Sequence, residues 1–237
     1  MNQTEKPYSN KTTKYLETNI KTKGNFLSFL EKKYEITSEN GEKKITSWEC
    51  VDYNNRLDND LKNSNAPNAV SIIPIIKKTR EVIIISCFRY PINKFCLEFP
   101  SGIIDQKDGE DPLISTINAA ERELLEETGY KGKFKCYLGN NKLSVEKQFN
   151  ICSNVFWDPW KSKDCSIQCI LEVDDNCQPI QKLDPDEIIK VYKVKLDNLM
   201  DFINEKIENE NCTVTCELYS FACGLYFSKN YNNELFN

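Results

Sequence analysis

Three runs near the middle of the chain are almost wholly apolar: Ala69–Lys77, Glu81–Arg89 and Phe95–Phe99. Ile and Val dominate the first two, the pattern of strands buried on both faces. Upstream lie two β-like segments, Asn25–Ile36 and Lys43–Tyr53. The Ser38-Glu39-Asn40-Gly41 stretch between them carries the Asn-Gly signal of a hairpin. Downstream, Asp111 can cap a helix that starts at Pro112, and Gly129 can end it in the left-handed region. Further strands are predicted at Phe134–Leu138, Ser166–Val173 and Glu187–Leu196, and helices at Leu196–Glu208 and Thr215–Lys229. The polar stretches 54–67, 139–164 and 174–186 read as loops. The pattern is a mixed α/β domain over 61–237, a small β element over 24–60 and a mobile polar arm over 1–23.

Composition narrows the chemistry. The chain has 237 residues with 40% hydrophobic and 28% charged positions, which suits a soluble globular domain with an arm. Lys plus Arg number 31 against 36 Asp plus Glu, a net charge of −5, opposite to the balance that nucleic-acid binding favours. There is no histidine. That excludes His-dependent nucleophile pairs and HExxH zinc sites, and it leaves carboxylates with a hard cation as the first chemistry to consider. The 11 cysteines are odd in number, form no CxxC and follow no signal-like segment. Reduced thiols in the cytoplasm, with nuclear entry open, are therefore expected. No apolar run reaches membrane-spanning length, and no membrane partner is expected.

The chemistry-bearing stretch is GIIDQKDGEDPLISTINAAERELLEETGY, from Gly102 to Tyr130. On a helix, Glu123, Glu126 and Glu127 share one face. They repel one another there and sit near the C-terminal end, where the helix dipole disfavours anions. A divalent cation would reverse both effects, and oxygen ligands point to Mg²⁺ or Mn²⁺. The structural alternative is a solvated acidic face with an Arg122–Glu126 ion pair.

The element Arg122-Glu123-Leu124-x-Glu126-Glu127-x-Gly129-Tyr130 resembles the second half of the Nudix box, G-x5-E-x7-R-E-U-x-E-E-x-G-U, in which U is apolar. The flanking EFPSGIID and EETGYKG, and the upstream Ser47-Trp48-Glu49 and Phe88-Arg89-Tyr90-Pro91, resemble the ADP-sugar pyrophosphatase branch. The likeness runs from about Gly24 to Lys229. It implies a Nudix α/β/α sandwich with a mixed sheet, an N-terminal antiparallel hairpin and a homodimer. The box is longer than the pattern: Gly102 to Arg122 is 122 − 102 = 20 positions, where the pattern gives 14. Two extra residues are assigned to the loop before Glu110, which is matched to the first box glutamate, and four to the interval after it. Four helical residues advance about 400°, so the carboxylate face turns by only about 40°.

By resemblance, Glu123 and Glu127 match metal-binding glutamates, and Glu126 joins them directly or through water. The Ser101 carbonyl matches a backbone ligand, Arg122 orients a carboxylate, and Gly102 permits the close turn. A carboxylate for the hydrolytic water is expected from Lys182–Glu187: Glu187 is chosen, with Asp186 and Asp184 as rivals and an ordinary polar loop as the bland alternative. Arg89 matches a phosphate-contacting arginine and Glu98 a pocket carboxylate; the alternative is an Arg89–Glu98 ion pair. Phe26 and Trp48 match aromatic positions that hold adenine, or else belong to the hairpin or core. Asp158-Pro159-Trp160 resembles a loop shaping substrate choice, with Trp160 in place of glycine. The implied activity is Mg²⁺-dependent hydrolysis of ADP-ribose or a related ADP-sugar to AMP and a sugar phosphate. Alternatives are another nucleoside diphosphate, such as an oxidised nucleotide, or a catalytically weak nucleotide-sugar sensor.

Overall fold

A computed structural model describes residues 11–54, 68–138, 155–174 and 178–230. Of the predicted loops 54–67, 139–164 and 174–186, residues 55–67, 139–154 and 175–177 lie outside these, as do residues 1–10 and 231–237. The chain divides into two compact units, one of residues 1–66 with 156–165 and one of 67–155 with 166–237. Among the described residues no helix is long and apolar enough to cross a membrane.

The first unit is an antiparallel sheet of β1 (Thr12–Lys23), β2 (Leu27–Thr37) and β3 (Lys43–Tyr53), in that order. The expected hairpin is β2–β3, with Gly41 at φ 83° in its turn. The segment expected to be a mobile arm is instead largely β1. Its residues alternate between polar and β-favouring types without an apolar face, so hydropathy does not reveal it. Pairing does: Tyr15 meets Tyr34 edge-on at 5.8 Å, and Lys33–Glu17 and Lys21–Glu31 pair at 2.8 and 3.1 Å. Two register shifts interrupt the β1–β2 ladder. Leu30 of β2 is buried, whereas Leu27, Phe29 and Ile45 share the opposite face by strand alternation and are exposed.

The second unit carries the chemistry. Its mixed sheet has the order β12 (Thr213–Val214), β6 (Lys94–Glu98), β5 (Glu81–Arg89), β4 (Ala69–Ile76), β10 (Cys165–Val173), β8 (Gly132–Tyr137). β11 (Ile189–Lys195) pairs with β5 and β7 (Ser101–Ile103) with β4; β9 (Val155–Phe156) precedes β10 in the chain. β10 runs parallel to β4, and β12 to β6. On one face Ala119, Ala120 and Leu124 of α1 (Pro112–Thr128) pack against Val70, Ile72, Ile83 and Leu171. On the other, Leu199 and Ile203 of α2 (Leu199–Glu210) and Leu218 and Ala222 of α3 (Cys216–Asn230) cover Ile73, Ile84, Leu97 and Phe99. β4 and β5 are buried on both faces, as their Ile and Val content requires. This is the expected α/β/α sandwich.

Candidate active site

α1 is set by its ends. The Asp111 carboxylate accepts from Leu113 and Ile114 N–H at 2.9 and 3.0 Å, Pro112 begins the helix, and Gly129 leaves it at φ 75°. Leu124 is fully buried on the sheet side, which fixes the rotation of the helix and presents Glu123 and Glu127 toward β7. Gly102 of β7 is needed there: a Cβ on it would come within 1.9 Å of Glu123 Cδ.

Arg122 organises the carboxylates. Its Nε and Nη2 donate to Asp108 Oδ1 and Oδ2 at 2.8 and 2.9 Å. Nη1 donates to Glu123 Oε1 at 2.5 Å and Glu126 Oε2 at 3.0 Å, and Nη2 also reaches the Ile103 carbonyl at 3.1 Å. The residue matched to the first box glutamate, Glu110, is exposed; the forked partner of Arg122 is Asp108, 4% exposed. Asp108 stands six positions after Gly102 (108 − 102 = 6), the G-x5-E spacing with Asp for Glu. All the added length therefore falls between Asp108 and Arg122, 14 positions apart where the pattern has 8. Asp108 closes a 3-10 turn with Asp105, accepting its N–H at 2.9 Å, and its own carbonyl accepts from Asn118 Nδ2 at 2.8 Å. Burial pushes the Asp108 carboxyl upward, but the Arg122 bonds and the Asp105 N–H outweigh this and hold it below its usual value.

Glu127 is 5% exposed, and its Oε2 accepts from Ser101 N–H at 3.0 Å. Burial raises its carboxyl well above the ordinary range. The Ser101 N–H opposes that, and the charges of Glu123, Glu187 and Glu98 add to it. Glu123 is raised by burial too, against the pull of Arg122. Among the described residues, no three metal-ligating side chains are gathered as a ready-made ion site: Glu123 and Glu126 turn to Arg122, and Glu127 to β7. The donor set still fits a hard cation, because buried carboxylates that raise one another are relieved by positive charge.

Residues 178–188 bring Glu187 to the same end of α1. Lys182 N–H donates to the Glu126 carbonyl at 2.8 Å, and Gln181 Nε2 donates to the Glu127 carbonyl at 2.6 Å and the Ile189 carbonyl at 3.3 Å. A Cβ on Gly129 would meet Ile180 N at 2.3 Å. Within the loop, Asp184 N–H donates to Glu187 Oε2 at 2.9 Å and Glu187 N–H to the Asp184 carbonyl at 3.0 Å. Tyr90 OH donates to the Asp186 carbonyl at 3.0 Å. Asp184 and Asp186 are exposed, and of the three carboxylates Glu187 acts on Glu127. The second-unit residues brought together are thus Ser101, Gly102, Arg122, Glu123, Glu126, Glu127 and Glu187. Sequence reasoning missed Asp108 and Gln181. Counting from Gly102 would have found the first; the second binds backbone carbonyls and leaves no motif.

Arg89, at the end of β5, forks onto Glu98 of β6, Nε–Oε1 2.9 Å and Nη2–Oε2 2.6 Å. The ion-pair alternative is thus what forms, while the Arg89 side chain stays 43% exposed. Burial raises the Glu98 carboxyl, and Arg89 pulls it back.

In the first unit, Trp48 Nε1 donates to the Trp160 carbonyl at 2.6 Å, Val51 N–H to the Lys161 carbonyl at 2.8 Å, and Lys163 pairs with Asp52 at 2.8 Å. The segment after Asp158 is therefore stitched along β3. Trp48, Trp160 and Phe26 are all more than half exposed. Trp48 lies opposite Lys32, while Phe26 lies beyond the Leu27–Tyr53 pair, where its carbonyl accepts from Asn54 N–H at 2.9 Å. The Lys32–Trp48 and Leu27–Tyr53 pairs are five ladder positions apart (32 − 27 = 5), roughly 16 Å at about 3.3 Å per strand residue, and Phe26 lies beyond the second.

No family model matches the chain. Curated relatives do. The mouse ADP-sugar pyrophosphatase is 30% identical over 190 residues, 77% of this chain and 75% of its own length. An uncharacterised Nudix hydrolase of Schizosaccharomyces pombe is 31% identical over 205 residues, 84% of this chain and 86% of its own. The chain belongs to the Nudix hydrolases. The Saccharomyces cerevisiae ADP-ribose pyrophosphatase is 30% identical over 179 residues, 72% of this chain and 68% of its own. Among solved structures, an ADP compounds hydrolase superposes with a TM-score of 0.55 at 18% identity, covering 92% of this hydrolase and 95% of that chain. That likeness shows the fold, and the relatives show the family.

Proposed function

We propose that this Nudix hydrolase cleaves the diphosphate of ADP-ribose or a related ADP-sugar, giving AMP and a sugar phosphate. The observation that carries the reading is the Glu127 carboxylate buried at the junction of α1 and β7, where it accepts from Ser101 N–H at 3.0 Å and is raised by that burial and then by the charges of Glu123, Glu187 and Glu98. The names of the mouse and budding-yeast relatives supply the substrate class. Mg²⁺, or Mn²⁺ in its place, would be held by Glu123, Glu127, Glu126 and the Ser101 carbonyl. When bound it supplies charge neutralisation and Lewis-acid polarisation of the diphosphate. Arg122, fixed by Asp108, holds Glu123 and Glu126 in place. Glu187 accepts the proton of the attacking water. The exposed edge of Arg89, braced by Glu98, contacts the diphosphate, and Phe26 and Trp48 contact the adenine.

A homodimer is part of the reading. The exposed Leu27, Phe29 and Ile45 on one sheet face support it. So does the spacing of Phe26 and Trp48, which keeps both rings of one chain from a single purine. The hydrolase acts as a soluble cytoplasmic enzyme in this reading. The test is turnover with ADP-ribose, other ADP-sugars and an oxidised nucleoside diphosphate, each with and without Mg²⁺. AMP release from an ADP-sugar, dependent on the cation, is expected. Turnover of the oxidised nucleotide alone would replace the substrate, and binding of ADP-sugars without turnover of any substrate would make the chain a sensor.

A further inference from the structure

The loop that carries Glu187 is a closed turn. Asp184 and Glu187 bond to each other in both directions, Leu183 packs against Ile85, Cys87 and Ile189, and Phe88 N–H donates to the Ile188 carbonyl at 3.0 Å. A turn tied this tightly moves as a body, so the placement of Glu187 is decided where the body is fastened. On the α1 side it is fastened by the Lys182 backbone N–H on the Glu126 carbonyl and by the side chain of Gln181. One amide nitrogen, with two N–H bonds to give, reaches the Glu127 carbonyl at 2.6 Å and the Ile189 carbonyl at 3.3 Å. The first contact holds the loop to α1. The second closes the loop's base, because Gln181 and Ile189 flank it.

The contact on α1 falls where the helix needs donors. The last carbonyls of a helix have no partner within it. Here the Leu125 carbonyl accepts from Gly129 N–H at 2.9 Å, the Glu126 carbonyl from Lys182 N–H, and the Glu127 carbonyl from Gln181. The residue whose carboxylate faces the chemistry is thus held, through its own carbonyl, by the loop that brings in the second carboxylate.

We propose that Gln181 is a positioning residue of this hydrolase: its side-chain amide locks the Glu187 loop to the last turn of α1 and so sets Glu187 against Glu127. This rests on the reading that Glu187 accepts the proton of the attacking water. Replacing the amide removes the side-chain half of the hold on α1, leaves the Lys182 backbone bond and touches neither carboxylate, so the loss falls on kcat and works only through Glu187.

The test is a double-mutant cycle with Gln181→Glu, Gln181→Met and Glu187→Gln, reading kcat, KM and melting temperature. Gln181→Glu keeps the length but turns an acceptor toward two carbonyls; Gln181→Met keeps the length without charge and carries the test if the first variant does not fold. Each is expected to lower kcat about tenfold with KM changed less than about twofold. In a Glu187→Gln background, Gln181→Met is expected to add no further loss. Full additivity, a loss confined to KM, or wild-type kcat in Gln181→Met while Glu187→Gln is slow would overturn the positioning role alone. Wild-type kcat in Glu187→Gln would remove Glu187 from the reaction and overturn the proposal together with the reading beneath it.

Discussion

The Trp48 indole N–H donates to the carbonyl of Trp160 at 2.6 Å. This bond joins the aromatic position assigned to adenine to the segment assigned to substrate choice, two features far apart in the chain. The Trp48 ring can therefore serve as a stacking surface, as the anchor of that segment, or as both. Trp48→Ala is expected to raise KM for ADP-ribose about tenfold with a smaller effect on kcat, from a stacking contact of roughly 1–3 kcal/mol. Trp48→Phe keeps a ring and loses the N–H, and should recover most of that KM. A folded Trp48→Ala protein with unchanged KM removes Trp48 from the site; a Phe variant as weak as the Ala variant assigns the effect to the Trp160 bond.

Arg122 distinguishes Asp108 from Glu110. Asp108→Asn leaves a largely buried guanidinium short of its forked partner and should cost roughly 2–4 kcal/mol, at or below the usual range for breaking a buried pair because Glu123 and Glu126 remain. Glu110→Gln should leave stability and activity within error. Thermal and urea unfolding of both variants decide the matter. Equal effects would mean that the Asp108 contact does not hold the box.

Glu187→Gln should lower kcat by about 10²–10⁴-fold with KM little changed. Asp184→Asn and Asp186→Asn should act far more weakly, since both side chains are exposed. Steady-state kinetics on the three variants would expose a wrong choice at once, because the largest kcat loss would fall on another residue.

Glu127 makes metal binding and stability depend on pH. A carboxyl raised in the folded state favours folding while protonated. Its contribution is complete below the ordinary value of 4.5 and is lost as pH rises through the raised one. A divalent cation must displace that proton and then offsets the charge left behind. The rise in melting temperature on adding Mg²⁺ should therefore be larger at about pH 8 than at about pH 5. Glu127→Gln should flatten the difference and lose most activity while staying folded. A Mg²⁺ effect equal at both pH values would place the cation away from Glu127.

What could be read in advance follows the range of the interactions. The ends of α1 were legible because Asp111, Pro112 and Gly129 act within a few residues of themselves. The strands of the sandwich were legible because burial on both faces demands Ile and Val. Asp108 sits at the right distance from Gly102, yet a search for glutamate passes over it to Glu110. Gln181 was out of reach because its partners are carbonyls of α1 and β11, and any residue supplies a carbonyl. β7, only Ser101–Ile103, is too short to show a period. β1 failed for a different reason: its order comes from cross-strand partners such as Tyr34 and Lys33, not from its own hydropathy.

That polar strand has a consequence for the behaviour of the protein in concentrated solution. β1 is the outer member of its sheet, and without it β2 would offer a row of unpaired N–H and C=O groups along Phe29, Leu30 and Ile36, a template for strands of other molecules. β1 covers the row with a strand whose ladder is interrupted by two register shifts and which carries Lys14 and Lys23. Further strands add poorly to such an edge. β1 thus guards the edge of β2 against open-ended strand addition, and a shortened chain beginning near Asn25 should fold its sandwich yet be prone to precipitate.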